Sequence, residues 1–62
     1  MVEVVVREAS DGRFEVEAPG RHYEAFEGRL GAVCVAHALV SEIVSEGGDA
    51  RLVDATARAP GT

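Results

Sequence analysis

The chain has 62 residues, with eleven acids against six arginines, no lysine, and a formal net charge of −5. A lone cysteine excludes an internal disulfide, and scattered arginines on an acidic chain argue against phosphate-backbone binding, which relies on clustered positive charge. The longest apolar run, Leu30 to Val40, is far short of the roughly 20 residues that cross a bilayer, and the Met-Val-Glu start lacks the basic, hydrophobic lead of a signal peptide.

One domain is all that this length allows. A chain this short buries only about 60% of the surface its unfolded form exposes. Its apolar residues are mostly Val and Ala, with no Trp, one Tyr and two Phe, so few side chains bring a large burial term. Small domains compensate with disulfides, a metal or a partner subunit, and the single cysteine leaves oligomerisation as the common remedy. An unpaired thiol suits a reducing compartment, so a cytoplasmic location is expected, with neither a membrane nor a nucleic acid as partner.

Val2, Val4 and Val6 alternate with Glu3, Val5 and Arg7, the period-2 pattern of a first strand. Phe14, Val16 and Ala18 alternate with Arg13, Glu15 and Glu17 in the same way. A three-residue loop, Ser10-Asp11-Gly12, places Gly12 at the left-handed position of a hairpin turn. It sets Val6 opposite Val16, Val4 opposite Ala18 and Arg7 opposite Glu15, so apolar meets apolar and opposite charges meet. A two-residue Asp-Gly turn would instead set Val6 against Glu17.

Pro19-Gly20 marks the next turn, and Arg21 to Phe26 reads as a third strand. Two registers compete there. One sets Tyr23 by Val16 and Glu24 by Glu15; a slip of one residue turns Phe26 inward and moves Tyr23 to the other face. A helix starts at Gly28 or Arg29, without a strong cap, and runs to Glu46, where Gly47-Gly48 supplies a left-handed end. Ala50 to Ala55 forms a last strand with Leu52 or Val53 inward. The domain thus spans 1–55, and 56–62 forms a frayed tail. The fold class is α+β, in the order β-β-β-α-β. Its last strand returns parallel to the first or the third strand by a right-handed crossover.

The helix has two distinct sides. Ala32, Val33, Ala36, Leu39, Val40, Ile43 and Val44 form an apolar stripe for the sheet to cover. Gly31, Cys34, Ala38, Ser41 and Ser45 recur at spacings of 3, 4, 3 and 4, a continuous row of small side chains with His37 at its margin. Small residues let two helix axes approach closely, so Gly31, Cys34, His37, Ala38, Ser41 and Ser45 are the expected interface of a homodimer. A different protein supplying its own helix is the other partner these residues allow.

Chemistry-bearing clusters are sparse. Cys34 and His37 supply half of one zinc pairing, and nothing in the spacing of His22 and Glu24 requires them to complete it. Neither a metal nor another cofactor is expected. Gly28-Arg29-Leu30-Gly31 lacks the glycine pattern and the lysine of a phosphate loop. Glu3, Glu15, Glu17 and Glu24 read as a solvated sheet face with cross-strand arginine partners. No catalytic residues are expected, because no nucleophile stands with a base and an orienting group.

Asp11-Gly12-Arg13-Phe14-Glu15-Val16, followed by Pro19-Gly20 and an Ala-rich helix, resembles the small antitoxins of HicB type over about residues 2 to 46. That resemblance implies a partial double-stranded-RNA-binding-like fold that begins with a three-strand meander and a helix. No DNA-binding domain follows within these 62 residues, so it implies no operator binding. The full layout, ending in Gly47-Gly48-Asp49-Ala50-Arg51-Leu52-Val53, also resembles uncharacterised bacterial domains of hairpin, helix and final strand, which implies fold only. The expected role is a non-enzymatic interaction module that self-associates through its helix. The alternative is a regulatory binder, either antitoxin-like or an acidic inhibitor of a basic partner.

Overall fold

The computed structural model describes residues 1–56. Strands β1 (Val2–Glu8), β2 (Phe14–Ala18) and β3 (Arg21–Phe26) form an antiparallel meander, followed by helix α1 (Arg29–Ser45) and strand β4 (Ala50–Asp54). The sheet order is β3-β2-β1-β4, and β4 runs parallel to β1. Of the two parallel returns that the sequence allows, the chain takes the one beside the first strand. Helix α1 makes the crossover and touches all four strands.

The first hairpin has the register set by its three-residue loop. Val6 stands opposite Val16 and Arg7 opposite Glu15. Gly12 has φ +86°, and its amide donates to the Ala9 carbonyl at 3.0 Å. Left-handed geometry at this position is what a glycine supplies without strain.

Strand β3 follows the first register at Tyr23 and turns Phe26 inward as in the second, without moving Tyr23 to the other face. Tyr23 pairs with Val16 and Phe26 with Phe14, so three residues advance on β3 while two advance on β2. The extra residue is a β-bulge, and it is absorbed at Ala25, which has φ +71°. The bulge keeps Tyr23 and Phe26 on the side of the sheet that carries Val16 and Phe14. Phe26 then packs against the core beside Phe14.

Helix α1 begins after Gly28, which has extended backbone and provides no side-chain cap. Its end is well built. The Gly48 amide donates to the Ile43 carbonyl and the Gly47 amide to the Val44 carbonyl, each at 3.0 Å, with Gly47 at φ +92°. These paired bonds satisfy the last carbonyls of the helix.

Val4, Val6, Val16, Ala18, Ala32, Ala36 and Leu39 make the buried core, and Leu52 of β4 packs against them. Leu52, rather than Val53, is therefore the residue that faces the helix. Val44 departs from the expected stripe, being 52% exposed. At about 100° per residue it lies some 140° round the helix from Leu39, beyond the arc that the sheet covers. Thr56, the first residue of the expected tail, is held by Asp54 and Arg29, with Arg29 Nε donating to its hydroxyl at 2.8 Å. The rest of that tail lies outside the described residues. No helix among the described residues is long and apolar enough to cross a membrane.

Candidate functional site

Gly31, Cys34, His37, Ala38, Ser41 and Ser45 are all exposed on the side of α1 that faces away from the sheet. Leu30 joins them at 73% exposure, and so does Val44. Taking Leu39 as the centre of the buried side, Leu30, Cys34, His37, Ser41 and Val44 fall around the opposite pole at spacings of 4, 3, 4 and 3. The row of small side chains borders this second row and shares Cys34 and Ser41 with it. Together they form one continuous surface along the length of the helix.

That surface carries no formal charge when His37 is neutral. Arg29 and Glu42 are the only charged residues between Arg29 and Ser45, and each is turned toward a sheet edge. Arg29 pairs with Asp54 at the β4 edge, and Glu42 accepts from Arg21 Nη2 at 2.7 Å at the β3 edge. The hydrogen bond and charge of Arg21 hold the Glu42 carboxyl below its ordinary range, and Glu42 in turn raises Arg21. The Asp54 carboxyl is also held low, first by the Thr56 hydroxyl, then by the Thr56 amide and Arg29, against an opposing effect of desolvation. Both charges of the helix thus act as clamps on its rims.

Gly31 lies at the rim rather than the centre of the outward surface. A Cβ placed there would meet the Phe26 ring at 3.7 Å, an ordinary contact. The Ser45 hydroxyl donates to the Glu42 carbonyl at 2.9 Å, so its hydrogen is already used within the helix. Such a serine can be covered without losing a donor to water.

The sheet has the opposite character on its uncovered side. Arg51 donates to Glu3, and Arg7 reaches both Glu15 and Glu17. His22 Nε2 stands 3.4 Å from Glu15 Oε2. Val5 and Val53 lie half-buried between these side chains. His22 and Glu24 are on this side of the sheet and Cys34 and His37 on the far side of the helix, so the four cannot share one ion. A shallow trough between Met1–Val5 and Glu17–Gly20 is open to solvent. Its acidic walls, Glu3 and Glu17, are engaged by arginines.

Leu30 is the residue of the helix surface that periodicity alone did not single out, and Val44 the one it assigned to the sheet-facing stripe. Their signal was present, since both stand seven residues from His37 and hence nearly on one line along the helix. No family model matches the chain, and no curated protein or solved structure is significantly similar to it.

Proposed function

We propose that the chain is a non-enzymatic interaction module that pairs with a second copy of itself through the outward surface of α1. The observation that carries this reading is the uncharged outer side of a helix whose two charges are both turned to the sheet edges. On a chain with a net charge of −5, that surface is where two copies approach with least repulsion. Small residues along it permit close helix packing, and a two-fold contact uses the same patch twice.

A helix of 17 residues is about 25 Å long. A contact along one helix of that length is small, so monomer and dimer are expected to exchange with concentration. Light scattering over a concentration series should show monomer passing to dimer. Ala38→Glu should hold the chain as monomer while leaving its circular dichroism unchanged. A wild-type chain that stays monomeric at millimolar concentration, or an Ala38→Glu variant that still dimerises, overturns the reading.

A second reading, a regulatory binder that presents carboxylates to a basic partner, draws on other residues. Glu8, Glu27, Glu46 and Asp49 enter none of the ion pairs among the described residues. Capture by such a partner should weaken steeply with salt, whereas pairing through α1 should not.

A further inference from the structure

The open side of the sheet brings together three side chains that the sequence keeps apart. Glu15 comes from β2, and His22 and Glu24 from β3. Their ligating atoms, two carboxylate oxygens and one imidazole nitrogen, all lie within 4.8 Å of one another. Period-2 alternation puts His22 and Glu24 on the same face of β3. The bulge at Ala25 then leaves Glu24 beside Glu15, while Phe26 turns back to the core.

We propose that Glu15, His22 and Glu24 bind a divalent transition-metal ion of the zinc class. The spacing supports this over simple ion pairing. The 3.4 Å between His22 Nε2 and Glu15 Oε2 is long for a hydrogen bond. Bonds to zinc of about 2.0–2.2 Å place two ligands of a tetrahedron roughly 3.3–3.6 Å apart, which is the separation found here. A turn of the exposed Glu24 carboxylate closes the third position, and water takes the fourth.

The burial of one ligand favours such an ion. The Glu15 side chain is only 19% exposed, so its carboxylate is partly withdrawn from competing water. Arg7 Nε makes no hydrogen bond and lies 3.5 Å from Oε1, the other oxygen of Glu15, so it does not occupy the oxygen that faces His22. One nitrogen and two oxygens select zinc-like ions over magnesium and calcium, which prefer all-oxygen shells. A bound ion would tie β2 to β3 beside the bulge. The site does not depend on the helix surface or on pairing through it.

Zinc chloride titrated into the metal-free full chain, followed by calorimetry, tests the proposal. The expected result is saturable binding at one ion per chain, with a rise in melting temperature. His22→Gln and Glu24→Gln should each weaken binding by more than the roughly tenfold that losing an outer hydrogen-bond partner of a ligand costs. Cys34→Ser and His37→Gln should leave it unchanged. Circular dichroism of each variant separates loss of binding from loss of fold. Absence of saturable heat at millimolar zinc overturns the proposal. So does binding that survives His22→Gln, binding that disappears with Cys34→Ser, or magnesium binding as strong as zinc.

Discussion

The two outer surfaces of this molecule are built on opposite principles. The open side of the sheet is a lattice of charge in which Arg7 and Arg51 reach across strands to Glu3, Glu15 and Glu17. The outer side of α1 has no acid or arginine on it, and its two charged residues are turned to its rims. Water reaches most of the first surface, although Arg7 Nε is buried within it without a hydrogen-bond partner. The second leaves Leu30 and Val44 uncovered on a chain with little core to spare, and so gains most from a partner.

The sharpest way to break that comparison is to remove the same side chain from the two sides of the helix. Leu39 is buried against the sheet, and Leu30 is the most exposed apolar residue on the far side. Leu39→Ala should cost about 2–4 kcal/mol, enough to unfold much of a marginal domain. Leu30→Ala should leave the melting temperature of the dilute monomer unchanged and raise the concentration needed for dimer. Thermal melts at low and high protein concentration read both effects. Equal destabilisation by the two variants would show that the outer surface is part of the monomer's own core.

The sheet side offers a smaller effect. Ala25 holds φ +71°, a conformation that costs an L-residue roughly 1–2 kcal/mol and that glycine adopts freely. Ala25→Gly should therefore stabilise the chain by about 0.5–1 kcal/mol, after allowance for the freedom glycine adds to the unfolded state. Urea denaturation checks it. A loss of stability would mean that the bulge is not where the strain resides, and Glu24 would then owe its place beside Glu15 to something else.

That bulge also marks the limit of what the residues disclose. The first hairpin was legible, because only one loop length sets Val6 by Val16 while pairing Arg7 with Glu15. The end of the helix was legible for a similar reason, since Gly47-Gly48 has few other uses. At β3 the pattern favoured Tyr23 inward by one register and Phe26 inward by another, and no glycine marked the residue that reconciles them. An alanine in left-handed geometry leaves no trace in composition. The grouping of Glu15, His22 and Glu24 depends on that register and was hidden with it. The helix surface was partly legible. Small residues revealed its flank, but the side of the wheel on which Val44 falls is set by where the sheet ends.

The rims where the two surfaces meet should reveal themselves at low pH. Asp54 is held below the ordinary carboxylate value of about 3.9 by Thr56 and Arg29. A lowered folded-state value means that the unfolded chain binds the proton more readily. The stabilising contribution is then complete above about pH 4 and is lost as pH falls through the folded-state value. Glu42, lowered by Arg21, runs in the same sense at the opposite rim. Asp54→Asn should accordingly lower stability at pH 6 and flatten the decline between pH 4 and pH 2, where the wild-type chain loses what the variant never had. Because the arginine half of the clamp is largely exposed, the effect is expected to be the smallest of the three. Urea midpoints for both chains across that range measure it. Parallel acid limbs would mean that Asp54 does not couple the helix to the β4 edge, and the uncharged outer surface of α1 would then need another account of how its arginine is kept aside.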